Sequence, residues 1–301
     1  MEAAMEELNQ CKICPHDCKV NRNIGKTGRC KATEKVKIAL YSIHNYEEPI
    51  VSGEKGSGTV FFSNCNLNCI YCQNYEISQL GQGKEISIEE LAKIFLELQE
   101  KEVENINLVT PTSYVVQIIE AIKIARQKGL NIPIVYNTNG YEKLETLKML
   151  EGYIDIYLPD LKYAEEEMGK KYSKVNNYFN IATVAIKEMV RQVGTPKLNE
   201  KGMLEKGVIV RHLVLPNHIE NSKKILKWLK ENLDDKVYIS IMAQYFPTYL
   251  AKEDQDINRK LNKQEWKEIE DYVEKIDIEQ GFIQELGEHE EEYVPKWEYG
   301  K

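Results

Sequence analysis

The sequence predicts an α/β fold built on a parallel sheet, with a small cysteine-rich segment in front of it. Three observations carry that reading. From residue 58 onward, apolar β-branched runs of strand length alternate with longer stretches of helical period. The 301-residue chain is 42% hydrophobic, enough for a large core. Cys65, Cys69 and Cys72 sit on the loop leaving the first apolar run, the end of a strand where α/β folds keep their chemistry.

Taken in order, Val36–Ile43 reads as a lead-in strand and Gly58–Ser63 as the first buried strand. Helix Ser87–Lys101 opens on a capping box, Ser87 with Glu90, and repeats Ile88, Leu91, Ile94, Phe95 and Leu98 on one face. Strand Ile106–Thr110 is followed by a helix from Ser113 that stops before Gly129. Strand Ile132–Tyr136, helix Glu142–Leu150 and strand Tyr153–Leu158 come next. A helical region from Glu165 to Val193 is broken near Ser173–Asn176. Strand Lys206–Leu215, helix Asn221–Leu233, strand Lys236–Met242 and helix Asn262–Ile276 follow, with Gly281–Gln284 as a short final strand. Six strand–helix units imply a parallel sheet with right-handed crossovers. The pattern alone allows a barrel or a doubly wound sheet.

The formal charge of −8 is spread over mixed acidic and basic residues, which argues against a nucleic-acid surface. No apolar run reaches membrane-spanning length, and the acidic start of the chain has no signal-peptide core. A cytoplasmic protein is expected. Seven cysteines in such a protein suggest metal ligands rather than disulfides.

Cys65, Cys69 and Cys72 form C-x3-C-x2-C. Three thiolates can cap three irons of a [4Fe-4S] cube and leave one iron open. An open iron can chelate S-adenosylmethionine (AdoMet), a cofactor of radical chemistry. A zinc knuckle is the plainer alternative, but no His lies within ten residues of the motif and no Cys follows it. At the N-terminus, Cys11, Cys14, Cys18 and Cys30 make a full set of four ligands for zinc, iron or an auxiliary cluster, with His16 as a spare. Free thiols in a flexible arm are the alternative there.

The motif with Tyr71 before its last cysteine resembles the radical SAM superfamily. The flanks, Glu47–Gly53, Gly56–Thr59, Cys72–Ser78, Val109–Thr112, Tyr157–Lys162 and Arg211–Pro216, resemble the family related to pyruvate formate-lyase activating enzyme. The resemblance covers about Cys11 to Pro247. It implies a partial (β/α)6 TIM-like barrel over residues 53–285, after an N-terminal unit of residues 1–52 and before a tail of residues 286–301. It also implies reductive AdoMet cleavage and hydrogen abstraction, with activation of a glycyl-radical enzyme as one outcome and modification of a small metabolite or peptide as another. An electron donor of flavodoxin or ferredoxin type is expected. A non-catalytic metal-binding interaction protein is the contrasting class.

Candidate site residues lie at strand ends. Thr110 and Thr112 stand where the superfamily carries a Gly-Gly-Glu-like turn for the AdoMet amino group, a departure. Asn137 and Asn139 can bond ribose hydroxyls or the methionyl carboxylate, and Asp160 with Lys162 the amino-acid moiety or substrate. The plainer readings are a helix cap, an Asn-Gly turn and a simple ion pair. Arg211 and His212 are neighbours on a strand, so one of them faces inward; Arg211 suits a carboxylate, and a satisfied buried histidine is the bland reading of His212. Tyr245 can relay a hydrogen atom or simply pack. By resemblance, Tyr71 lies near adenine. His44, Glu47 and Glu48 touch substrate or form a solvated loop. No spare thiol remains to carry a methyl group, and the tail Tyr293–Tyr299 covers the barrel end or is loose.

Overall fold

The computed structural model describes residues 6–287. The strands are β1 Val36–His44, β2 Ser57–Phe62, β3 Lys84–Ile86, β4 Ile106–Val109, β5 Ile134–Thr138, β6 Ile156–Pro159, β7 Lys197–Leu198, β8 Leu204–Leu213, β9 Tyr238–Met242 and β10 Gly281–Ile283. The long helices are α1 Ile88–Glu100, α2 Val115–Gln127, α3 Leu144–Met149, α4 Tyr178–Val193, α5 Ile219–Asn232 and α6 Lys263–Lys275. The sheet runs β10-β9-β8-β6-β5-β4-β2-β1-β3. From β2 to β10 every neighbouring pair is parallel. The architecture is a partial TIM-like barrel, open between its β10 and β1/β3 edges.

The sheet is mixed rather than wholly parallel. β1 pairs antiparallel with β2, and β3 antiparallel with β1. Strand direction is set by the connection, and the link from His44 to Ser57 carries only a short helical turn, Pro49–Ser52, instead of a crossover helix. The small antiparallel β7–β8 pair was not foreseen either. The break in the Glu165–Val193 region is real: a wide turn at Gly169–Ser173 precedes α4.

Strand alternation sorts side chains into two layers. Ile134, Tyr136, Tyr157, Val208, Val210, Ile239 and Ile241 join the large core beneath the helices. Val135, Ile156, Leu158 and Ile209 join a smaller apolar cluster with Val51, which caps the barrel floor. That turn is tied down by Asn105, whose Nδ2 donates to Val51 O at 2.7 Å. The expected tail, residues 286–301, lies outside the described residues beyond Gly287. Among the described residues no helix is long and apolar enough to cross a membrane.

Candidate active site

One cavity of about 510 Å³ runs from the cysteine loop to the barrel floor. Cys65, Cys69 and Cys72 line it, as do Tyr71, Thr110, Asn137, Asn139, Asp160, Lys162 and Arg211. The cysteine loop is pinned by the wide turn after β6: Asn68 N donates to Ser173 O at 3.1 Å and Ile70 N to Tyr172 O at 2.9 Å. Each sulfur has a hydrogen-bond partner. Leu67 N and Asn139 Nδ2 each donate to Cys65 Sγ at 3.4 Å. Cys69 Sγ lies 2.9 Å from Ser173 Oγ, and Cys72 Sγ 3.1 Å from Ser78 Oγ. Burial pushes the Cys69 thiol up to about 11 against the pull of the Lys162 ammonium, and it also raises Cys65 and Cys72.

Below the loop lies an ion-pair network. Arg211 donates from Nε to Asp160 Oδ1 (3.0 Å), from Nη1 to Glu47 Oε2 (3.2 Å) and from Nη2 to Asn137 Oδ1 (2.6 Å). Lys162 Nζ donates to Asp160 Oδ2 at 2.6 Å. Glu47 Oε1 accepts from Asn107 Nδ2 at 2.9 Å and Asn137 Nδ2 at 3.3 Å. Burial alone would raise Asp160, but Lys162 and Arg211 outweigh it and hold its carboxyl below the usual range. Burial raises Glu47 and Glu48 despite the opposing Arg211 charge.

Two strand-end loops have unusual backbone. Thr110, a β-branched residue, sits at φ +60°, the left-handed region where glycine is at ease. Its N–H donates to Asn137 O at 2.9 Å. Gly140 has φ +80°, and a Cβ there would lie 2.3 Å from Asp160 O, so the Asn139 loop needs a glycine to approach β6. Asn139 Nδ2 also donates to Asn66 Oδ1 at 2.7 Å, bracing the loop beside Cys65.

Three candidates lie away from the cavity. His212 points to the helix layer: Nδ1 donates to Leu161 O at 2.7 Å, so Nε2 accepts from Ser222 Oγ at 2.8 Å. Burial lowers it to about 4, leaving a neutral, satisfied core histidine. Tyr245 gives its hydroxyl to Ile257 O at 2.5 Å and packs edge-on against Tyr71. Thr112 is buried and donates to Glu142 Oε1 at 2.6 Å. Tyr71 hydrogen-bonds Tyr163 through their hydroxyls at 2.6 Å. Ser173, Ser78, Asn66 and Glu142 were missed by sequence reasoning, because hydroxyls and amides in loops carry no pattern.

The N-terminal cysteines pack against the barrel. Arg22, 1% exposed, donates to Ser113 O at 2.8 Å and twice to Thr33 O, with Cys11 Sγ 4.0 Å from its Nη1. Arg29 N donates to Cys18 Sγ at 3.3 Å, and His16 Nε2 to Asn66 O at 2.8 Å, next to Cys65. Among the described residues, no three His, Cys, Asp or Glu side chains are set to enclose a single metal ion.

The sequence profile of the Radical SAM superfamily matches residues 59–249, the span from β2 through the strands that line this cavity. The chain belongs to the radical SAM superfamily. As a radical SAM enzyme it implies a [4Fe-4S] cluster, S-adenosylmethionine and a reductant. The chain is 34% identical over 292 residues to the uncharacterized protein MJ0674 of Methanocaldococcus jannaschii, covering 93% of this chain and 78% of that one. A pyruvate formate-lyase-activating enzyme of Clostridium pasteurianum is 24% identical over 221 residues, 66% of this chain and 90% of its own. Among solved structures, Streptococcus suis SuiB bound to S-adenosylmethionine superposes with a TM-score of 0.51 at 17% identity, over 78% of this chain. The chain spans about half of SuiB (51%), and that likeness bears on the fold alone.

Proposed function

We propose that Cys65, Cys69 and Cys72 hold the [4Fe-4S] cluster of this radical SAM enzyme and that AdoMet lies between them and the Asp160–Lys162–Arg211 network. The observation that carries this reading is that all three thiols and the network face one cavity. The donor set fits the group: three cysteine sulfurs, each with a hydrogen-bond partner that steadies a thiolate and tunes the cluster potential. When bound and reduced, the cluster supplies the electron that cleaves AdoMet for hydrogen abstraction. In this reading Lys162 pairs with the methionyl carboxylate, Asn139 keeps its brace on Cys65, and the Thr110 turn offers backbone groups to the cofactor. Arg211 holds Asp160 ionised. A flavodoxin or ferredoxin-type protein is the proposed reductant.

Activation of a glycyl-radical enzyme is the substrate reading supported by the likeness to the C. pasteurianum activating enzyme. Modification of a small metabolite or peptide is the second reading, supported by the polar, enclosed floor of the cavity. The N-terminal unit is proposed to bind a second metal. Buried Arg22 gives its hydrogen bonds to the carbonyls of Thr33 and Ser113 and to Cys11 Sγ, an environment that suits a metal-bound thiolate.

The test is anaerobic reconstitution with iron and sulfide, then a dithionite assay for 5′-deoxyadenosine. Reconstituted protein should show iron–sulfur absorption and consume AdoMet. A properly loaded preparation that leaves AdoMet intact would reject the assignment. Addition of a candidate glycyl-radical enzyme, read by electron paramagnetic resonance, separates the two substrate readings. Elemental analysis identifies the N-terminal metal.

A further inference from the structure

The floor of the cavity carries more acidic groups than basic ones. Three carboxylates line it, Glu47, Glu48 and Asp160, against two cations, Lys162 and Arg211. Hydrogen bonds show which carboxylate oxygen is left over. Asp160 has one oxygen on Lys162 and the other on Arg211. Glu47 has one oxygen on Asn107 and Asn137 and the other on Arg211. Both cations are thereby engaged. Glu48, 8% exposed, shares a hydrogen bond with Ser240 and lies in the field of Arg211, but its Oε2 is buried with no hydrogen-bond partner.

An unpartnered buried carboxylate oxygen is costly to a fold. Folds keep such groups where a ligand completes them. Glu48 does not arrive there by chance of local structure. The chain reverses after β1, and the Pro49–Ser52 turn, anchored by Val51 in the floor cluster, fixes the residue before it beneath the barrel. Glu48 lines the cavity, and its terminal carboxylate torsion is soft. The open side of the barrel is flanked by aromatic rings from both sheet edges, Tyr46 and Phe282, which line the same cavity and tolerate a passing cation.

We infer that Glu48 is the recognition residue of a substrate subsite at the barrel floor, and that the substrate carries a cationic nitrogen, an ammonium or guanidinium, seated on its carboxylate. This deepens the radical SAM reading of the cavity and rests on it. The cation sits at the end of the cavity away from the cysteine loop, so the hydrogen removed belongs to the part of the substrate nearer AdoMet.

The test uses reconstituted full-length holoenzyme and two matched probe pairs, butylguanidinium with butylurea and butylammonium with 1-butanol, followed by saturation-transfer NMR titration. The wild type is expected to bind each cation at least fivefold more tightly than its neutral partner. Glu48→Gln should erase that preference, and Glu48→Asp should keep it with weaker binding; thermal melts report whether each variant folds. Equal binding of charged and neutral probes by the wild type overturns the inference, whatever becomes of the variants. Retention of the preference in folded Glu48→Gln overturns it as well. Wild-type AdoMet cleavage, assayed separately, keeps the two readings apart. Cleavage without cation preference removes the subsite alone. Cation preference without cleavage supports the subsite and removes the radical reading.

Discussion

The two cysteine sets of this protein are held in place by different means. Cys65, Cys69 and Cys72 follow a fully buried strand, and their loop is clamped by backbone bonds to Tyr172 and Ser173. Between Cys11 and Cys30 the regular structure is the short turn Arg22–Ile24. Side-chain contacts to the barrel, from Arg22, His16 and Thr146, fasten it. A loop anchored by sheet geometry keeps its shape when one ligand is lost. A segment with little core of its own depends on each anchor.

The largest expected effect breaks this comparison at the sulfurs. Cys69→Ala should lower 5′-deoxyadenosine formation by about 1,000-fold or more, equivalent to ~4 kcal/mol in the barrier, with the circular-dichroism spectrum unchanged. Cys14→Ala should lose metal from the N-terminal set by elemental analysis while the iron of the barrel loop remains. Equal loss of both metals in either variant would erase the distinction drawn here.

Arg22→Ala attacks the anchor instead. It strands the carbonyls of Thr33 and Ser113 in a buried site, at a cost of about 3 kcal/mol. Denaturant titration should show that loss, and hydrogen exchange should localise it to residues 8–34. Protection lost evenly across the barrel strands would speak against a separately anchored segment.

Glu142 lies at the seam, bonded to Thr112 and Thr138, with Thr146 four residues on holding Ile13 O at 2.7 Å. Burial raises its carboxyl to about 7, partly offset by those hydroxyls. The sign follows from linkage. Below about 4.5 the acid is neutral folded and unfolded, so nothing is lost. Between about 4.5 and about 7 the unfolded state ionises while the folded state still holds its proton, so stability falls, by ~3 kcal/mol in all, and levels off above that range. Glu142→Gln should therefore gain on the wild type as pH rises through that window, in paired melts. A constant difference across pH would show that Glu142 is not the titrating group.

The smallest effect is at Thr110. Replacing it with glycine relieves the left-handed strain and should stabilise the fold by about 1 kcal/mol. A destabilised Thr110→Gly would show that the side chain contributes more than its backbone costs. The glycine-rich turn expected at this position by resemblance has a physical reason in that φ.

Much of the fold was legible because it is periodic. Strand parity lets only one of Arg211 and His212 face the cavity, and the structure puts Arg211 there and His212 in the helix layer. Asp160 and Lys162, singled out by their place at a strand end, line the cavity. Tyr245 takes the plainer of its two readings, since a position after a strand does not say which way the chain turns, and here it leads the ring into packing with Tyr71. Thr112 was misplaced because the short turn Thr112–Tyr114 rotates its hydroxyl under the strand end toward Glu142.

The sequence by itself determined the alternation of strands and helices, the spacing of both cysteine sets and the parity of each strand, since these depend on neighbours a few residues apart. Tertiary structure alone decided that β1 runs antiparallel, that Ser173 meets Cys69 from 104 residues away, and that Glu47 and Glu48 rise into the barrel from below. Such contacts arise when distant segments compete for the same buried space, and no local pattern of residues encodes the outcome.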